Sequence, residues 1–148
     1  MPVRDQSLGY LVNWAARLFT RHMEGALRTH GMAPGQLPVL FALADGRAMS
    51  QAELATSAAV EQPTMANTLA RMERDGLIVR TPNPDDRRSA LVRLTGGAAA
   101  KLPTLASIID AINAQASATL SATEKAQLLN LLSRVVESLG ADPMDDSV

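Results

Sequence analysis

Apolar side chains recur every three or four residues in the regions near both ends of the chain. They form one stripe of about six helical turns over residues 7–29, and another stripe over residues 124–139. Each stripe is longer than one neighbouring helix of a small domain usually covers. We therefore expect the terminal regions 7–30 and 98–140 to be dimerisation helices, which bury these stripes against a second copy of the chain.

The middle of the chain has the outline of a helix-turn-helix. A short helix begins at Pro34, where a first-turn proline is well tolerated. Ser50 and Glu53 have the spacing of a capping box and predict a helix over residues 51–57. After a tight link, a helix of about 13 residues is predicted over 62–74.

A β-hairpin is predicted directly after these helices. Residues 77–80 and 90–94 are apolar and β-branched, which is typical of strands, and residues 81–86 are rich in turn formers. The pattern predicts two short strands joined by a long loop that carries arginines, which is the shape of a wing. Thr95 is placed to cap the next helix, and Pro103 should kink that helix or delay its start.

Composition places the 148 residues in one domain, 1–148, with 47% hydrophobic residues to form a core. The absence of cysteine excludes disulfides, thiolate catalysis and cysteine-ligated zinc. No apolar run approaches the ~18 residues of a spanning helix, and the first residues lack a signal-peptide layout. We expect a cytoplasmic protein without membrane contact, and a disordered tail over residues 141–148.

The net charge of −1 does not by itself indicate a nucleic-acid partner, but the distribution of charge is uneven. Six arginines fall between positions 71 and 93, against four carboxylates in the same span. Arginine suits phosphates and base edges because its planar guanidinium donates two hydrogen bonds at once. The alternative explanation is a solvated surface held by ion pairs.

The predicted helix 62–74 has two distinct faces. Met65, Leu69 and Met72 share one face and predict its contact with the core. An asparagine can pair with the edge of adenine, and an arginine with guanine or phosphate. The opposite face carries such side chains together with small residues: Pro63, Asn67, Ala70, Arg71 and Arg74.

The stretch from residue 50 to residue 95 resembles the MarR family of winged-helix transcriptional regulators. Its most specific part is Asp86-Arg87-Arg88, followed after five residues by Leu94-Thr95, which matches the family pattern Asp-x-Arg-x5-Leu-Thr. The run from Leu69 to Ile78 in this sequence adds to the resemblance. The chain departs from the family at Asn67 and Ala70, where many members carry Arg and Asp, and this implies a different base preference.

The resemblance implies a mainly α fold with a small two- or three-stranded β wing. The winged helix-turn-helix would span residues 33–95, between the N- and C-terminal dimerisation helices. Asp86 would fix the wing by pairing with an arginine, and Arg88, with Arg87, would enter the minor groove of double-stranded DNA. The residues implied to meet the major groove or its flanking phosphates at a pseudo-palindromic operator are Gln62, Pro63, Thr64, Asn67 and Arg71, with Arg74 as a further candidate.

The resemblance also implies a repressor whose DNA binding is relieved by a small aromatic or anionic effector. Trp14, Arg17, Arg21 and Phe41 are candidates to line the effector crevice, although core packing is the simpler explanation for Trp14 and Phe41.

Other function classes find less support in the residues. His22 and His30 are the only histidines, and along one helix they would stand about 12 Å apart, too far to share an ion. We therefore expect no catalytic activity, no metal and no cofactor. The remaining alternative is a protein-interaction module that uses the terminal helices and has only non-specific affinity for DNA. The basic wing argues against this alternative.

Overall fold

The structure, a computed structural model, describes residues 6–140. Within this range it contains six α-helices and a three-stranded antiparallel sheet in the order β1-β3-β2. The predicted fold class is therefore confirmed. The predicted disordered tail, 141–148, lies outside the described residues. The elements are α1 (Leu8–Arg28), a 3-10 turn (Pro34–Gln36), α2 (Leu37–Ala42), β1 (Met49–Ser50), α3 (Gln51–Ser57), α4 (Gln62–Arg74), β2 (Ile78–Asn83), β3 (Asp86–Leu94), α5 (Gly96–Ala116) and α6 (Ala122–Ser138).

Local side-chain caps stabilise the starts of helices α3, α5 and α6. The Ser50 hydroxyl accepts a hydrogen bond from the Glu53 amide at 3.2 Å, and the Glu53 carboxylate accepts one from the Ser50 amide at 2.7 Å. Ser121 and Glu124 repeat this capping box at α6. Thr95 caps α5 by accepting from the Ala98 amide at 3.1 Å. Each cap satisfies backbone donors that a helix start leaves free.

The turn between α3 and α4 contains an alanine in the left-handed region of backbone conformation. Ala59 has a φ of 53°, and the amides of Ala59 and Val60 donate to the carbonyls of Thr56 and Ala55. This is the hydrogen-bond pattern that commonly ends a helix, with glycine as its usual residue at the left-handed position. The ends of α1, α4 and α6 use glycines with positive φ instead, at Gly31, Gly76 and Gly140.

The hydrophobic core lies beneath the helix-turn-helix and the sheet. Met65, Leu69 and Met72 of α4 are buried in it, as the two-faced pattern of this helix predicted. From the long helices only Leu27 of α1 and Ala98 and Leu105 of α5 are fully buried, and α6 buries no residue. In one chain the terminal apolar stripes therefore remain largely exposed.

One expectation about element boundaries is wrong, and one of the two effects expected of Pro103 is excluded. The predicted loop 81–86 is a two-residue turn, because β2 continues to Asn83 and β3 begins at Asp86. Arg87 and Arg88 therefore lie within β3 instead of in a loop. The start of α5 is not delayed by Pro103, since the helix runs unbroken from Gly96 to Ala116. Pro103 and Ala99, whose carbonyl loses its partner, are both exposed, so water can replace that bond.

Candidate nucleic-acid interface

Helix α4 presents a polar face on the side away from the core. Asn67 and Arg71 are exposed, and Arg71 forms no ion pair among residues 6–140. Arg74 is also exposed, but its Nε atom lies 3.1 Å from Asp75 Oδ1. The ion-pair explanation for these arginines thus fits Arg74, whereas Arg71 keeps all its guanidinium donors available to a ligand.

The first turn of α4 is exposed together with this face. Gln62, Pro63 and Thr64 are all accessible to solvent, and the N-cap residue Glu61 makes no side-chain cap hydrogen bond. Gln62 is oriented by Gln51 of α3, whose Nε2 donates to Gln62 Oε1 at 3.4 Å. The implied major-groove residues of α4 are therefore all exposed, and we call their exposed surface the α4 face.

The tip of the wing is held by asparagine and aspartate side chains that bond to the backbone. Asp86 Oδ1 accepts a hydrogen bond from the Arg88 amide at 2.9 Å, and Asn83 Oδ1 accepts one from the Asp85 amide at 3.0 Å. The expectation that Asp86 pairs with an arginine is wrong, because no ion pair within residues 6–140 involves Asp86. Asp86 fixes the wing through the amide of Arg88 instead, and so leaves the guanidinium of Arg88 unpaired.

Sequence reasoning missed Asn83 as a wing-structuring residue. Besides accepting from Asp85, its Nδ2 donates to Ser89 Oγ at 3.1 Å, so it bridges the two sides of the turn. The signal was present in the run Asn-Pro-Asp, because asparagine readily bonds to the backbone two residues ahead.

A polar groove of about 690 Å³ separates the wing from the first turns of α3 and α4. Its walls include Gln51 and Gln62 on the helix side and Arg80, Asn83 and Arg88 on the wing side. Arg87 and Arg88 are exposed on β3 and form no ion pair within the described residues. Unpaired guanidiniums thus stand on both the α4 face and the wing.

An ion pair stabilises the loop that leads into β1. Arg47 Nη2 lies 2.6 Å from Asp45 Oδ2, and the Arg47 Nε–H donates to the same oxygen at 2.7 Å. These hydrogen bonds lower the pKa of Asp45 and raise the pKa of Arg47, because each group favours the charged form of the other. Both side chains of the pair are therefore charged at neutral pH.

The candidate effector residues lie on the exposed side of α1 and on α2. Trp14 is 42% exposed, and its ring meets Tyr10 edge-on at a centroid distance of 5.8 Å. Arg17 and Arg21 follow on successive turns of the same face, and Phe41 is 51% exposed. The expectation that Trp14 and Phe41 pack in the core is wrong for the single chain, because both rings are exposed.

Nothing within residues 6–140 groups three metal-ligating side chains of the His, Cys, Asp or Glu type. The helices in this range also lack the combination of length and apolar character that a bilayer span requires.

Comparisons with known proteins identify similar transcriptional regulators. The sequence model of the MarR family matches residues 30–89. The HTH-type transcriptional repressor NicR of Pseudomonas putida is 29% identical over 133 residues, which cover 90% of this chain and 84% of NicR. A probable transcriptional regulator from Pseudomonas aeruginosa is 30% identical, with a TM-score of 0.81 and coverage of 88% and 98% of the two chains. A mutant MarR from E. coli complexed with operator DNA is 27% identical, with a TM-score of 0.80 and coverage of 87% and 93%.

Proposed function

This chain belongs to the MarR family of winged-helix transcriptional regulators, and from that premise we propose that it binds a pseudo-palindromic operator in double-stranded DNA as a homodimer. It acts as a repressor, and a small aromatic or anionic effector releases it from the operator. Both NicR and the DNA-bound MarR of E. coli are similar to this chain along most of its length, which supports a repressor of this kind.

The observation that carries the proposal is the pairing of two exposed cationic elements on one rigid core. The α4 face offers Asn67 and Arg71 to base edges, and α4 is anchored by three buried residues. The wing offers Arg87 and Arg88, whose guanidiniums lack carboxylate partners among the described residues. A helix suits the major groove, and arginine suits the negative potential of a narrow minor groove, so the two elements match adjacent grooves.

The homodimer is supported by the exposed apolar side chains of the terminal helices. Leu131 of α6 is 53% exposed and Leu139 is 83% exposed, and an apolar depression lies between these residues and Leu8 of α1. Contiguous apolar surface of this kind is uncommon on a monomer. A second copy related by a two-fold axis covers the same surface on both chains and places two α4 helices on one side of the dimer.

The effector site is proposed at the exposed face of α1, where Trp14 and Tyr10 offer aromatic surface and Arg17 and Arg21 offer positive charge. Stacking on the rings and pairing with a guanidinium favour a small molecule that is both aromatic and anionic. Phe41 on α2 adds a further exposed ring.

The proposal is tested on a duplex that the purified protein enriches from a random-sequence pool. Half-sites of a two-fold dimer lie about one helical turn apart, so inserting about five base pairs at the centre turns one half-site to the opposite face. We expect this insertion to abolish tight binding, and we expect the same of an insertion of about ten base pairs, which restores the face but moves the half-sites about 34 Å further apart. Equal affinity for all three duplexes would exclude the dimeric major-groove mode. Failure to enrich any sequence would favour a protein-interaction module.

A further inference from the structure

The six arginines between residues 71 and 93 fall into two groups in the structure. Arg71, Arg87 and Arg88 have no side-chain hydrogen bond or ion pair within residues 6–140. The other three are engaged: Arg74 with Asp75, Arg80 with Glu73, and Arg93 with the carbonyl of Gly46. The pair formed by Arg74 is with the next residue and joins no separate elements. The contacts of Arg80 and Arg93 both connect the wing to another part of the fold.

Arg80 connects the wing to α4. Its Nε lies 3.2 Å from Glu73 Oε2, and its side chain is 31% exposed, so the pair is partly shielded from water. Arg80 stands opposite Val92 in the antiparallel register, and Val92 is fully buried. Directly opposed residues point to the same side of a sheet, so Arg80 approaches α4 from the core-facing side of the wing.

Arg93 connects the wing to the loop between α2 and β1. Its Nη1 donates to the Gly46 carbonyl at 3.0 Å, across 47 positions of sequence. Arg93 stands opposite Val79, an exposed residue, so it lies on the outer side of the wing. The loop that receives it is itself held by the ion pair of Asp45 and Arg47. The base of the wing is thus tied from both of its faces.

We propose that Arg80 and Arg93 are positioning residues, which fix the angle between the wing and α4 without contacting DNA. Five residues along β3 separate Arg93 from Arg88, a distance of about 17 Å at the rise of a strand. A tilt of about 10° at the base would therefore move Arg88 by about 3 Å, enough to break a hydrogen bond to DNA. Glu73 is a positioning residue as well, because its ion pair holds Arg80 in place.

This inference rests on the proposed function. A substitution at Glu73 distinguishes a positioning role of Arg80 from direct contact of Arg80 with a DNA phosphate. Glu73→Gln removes the carboxylate but keeps the positive charge of Arg80. If Arg80 positions the wing, this variant binds the enriched duplex about threefold to tenfold more weakly, and protection of the minor groove at the wing is lost. If Arg80 is instead a phosphate contact restrained by Glu73, the same variant binds more tightly and with a steeper salt dependence. Glu24→Gln on α1 makes the same change in charge away from the wing and serves as the matched control.

A double-mutant cycle tests the role of Arg93 and shows whether the loss of affinity arises at the wing tip. The reference background is the double variant R87Q/R88Q, which lacks the guanidiniums of the wing tip. Glu73→Gln and Arg93→Gln should each weaken binding in the wild type and have almost no further effect in this background. Additive losses in both backgrounds would show direct contacts with DNA and overturn the inference, as would unchanged or tighter binding by Glu73→Gln.

The outcomes are distinguishable from a failure of the proposed function, in which the wild-type protein enriches no duplex at all. Melting temperatures of the variants provide the control for folding. Both Glu73 and Arg93 are exposed, so we expect these temperatures to stay near that of the wild type. If Arg93→Gln unfolds, Glu73→Gln still distinguishes the two roles of Arg80, because a positioning role predicts weaker binding and a phosphate contact predicts tighter binding.

Discussion

Replacing Ala59 by glycine should stabilise the protein. Ala59 closes the turn of the helix-turn-helix with a φ of 53°, a region that glycine enters without a steric penalty. The ends of α1, α4 and α6 place glycine there, with φ of 69° at Gly31, 75° at Gly76 and 87° at Gly140. Ala59 is exposed, so removing its methyl group sacrifices little packing. The change therefore acts mainly on the backbone.

Two opposing free-energy terms, backbone strain and chain entropy, set the size of the expected change in stability. The left-handed conformation costs a residue with a Cβ atom about 1–2 kcal/mol. Glycine gives back about 0.5–1 kcal/mol, because its unfolded chain has more conformations to lose. The net expectation is an increase of about 0.5–1 kcal/mol in the free energy of unfolding, which corresponds to a rise in Tm of about 1–4 °C for a chain of this size.

Thermal and urea unfolding at one fixed protein concentration measure this change, since the stability of a dimer depends on concentration. Gly76→Ala is the reverse control: a Cβ there meets no atom within 4 Å, so its expected loss of stability reports backbone strain alone. Gly35→Ala has the same open surroundings without a left-handed φ, and should not lower the Tm. A lower Tm for Ala59→Gly would show that the strain at Ala59 is smaller than the entropy that glycine loses on folding.

Three further predictions concern the interface, the dimer and the caps. Asn67→Ala should cost about 1–3 kcal/mol of binding free energy on the enriched duplex and almost nothing on random DNA. Arg88→Ala should weaken binding to both DNAs and lower the slope of the salt dependence by about one. Equal losses of affinity on both DNAs for Asn67→Ala would mean that Asn67 reads no base. Leu132→Asp should produce monomers in analytical ultracentrifugation, because an unpaired charge in an apolar interface is costly, while Leu132→Met should remain dimeric. The hydrogen bond from the Ser121 amide lowers the pKa of Glu124 below its ordinary value of 4.5, so its contribution to stability is present above pH 4.5 and is lost as the pH falls through the lowered pKa. Glu124→Gln should remove this part of the acid dependence, measured by the Tm between neutral and acidic pH.

Features set by near neighbours in sequence could be predicted from the sequence. The starts of α3 and α6 follow from capping boxes in which each partner is three residues from the other. The buried face of α4 follows from the spacing of Met65, Leu69 and Met72, and its end from the glycine at position 76. Family membership followed from the spacing in the wing, and it too is confirmed.

The length of the wing could not be predicted in this way, because hydrogen bonds between strands outweigh local turn preference. Pro82 and Asn83 favour a turn, yet both lie in β2, and Pro82 stands opposite Ala90. Proline is tolerated there because β2 is an edge strand of the sheet and need not donate on its outer side. The register shifts directly after Pro82, and the two-residue turn follows at residues 84–85.

The chemistry of the candidate site depends on contacts between residues that are far apart in sequence, which local sequence patterns do not predict. Arg88 and Arg93 lie on the same strand, and both are exposed. They differ in what stands nearby: Arg93 meets a carbonyl 47 positions away in sequence, whereas Arg88 has only its own amide engaged, by Asp86. A count of arginines predicts an affinity for phosphate, but only the three-dimensional partners separate an arginine that is available to DNA from one that holds the wing. The proposed interface assigns base preference to the available set, Asn67 and Arg71 on α4 together with the wing tip. We therefore expect variants of the engaged arginines to alter how well the operator is bound and not which sequence is chosen.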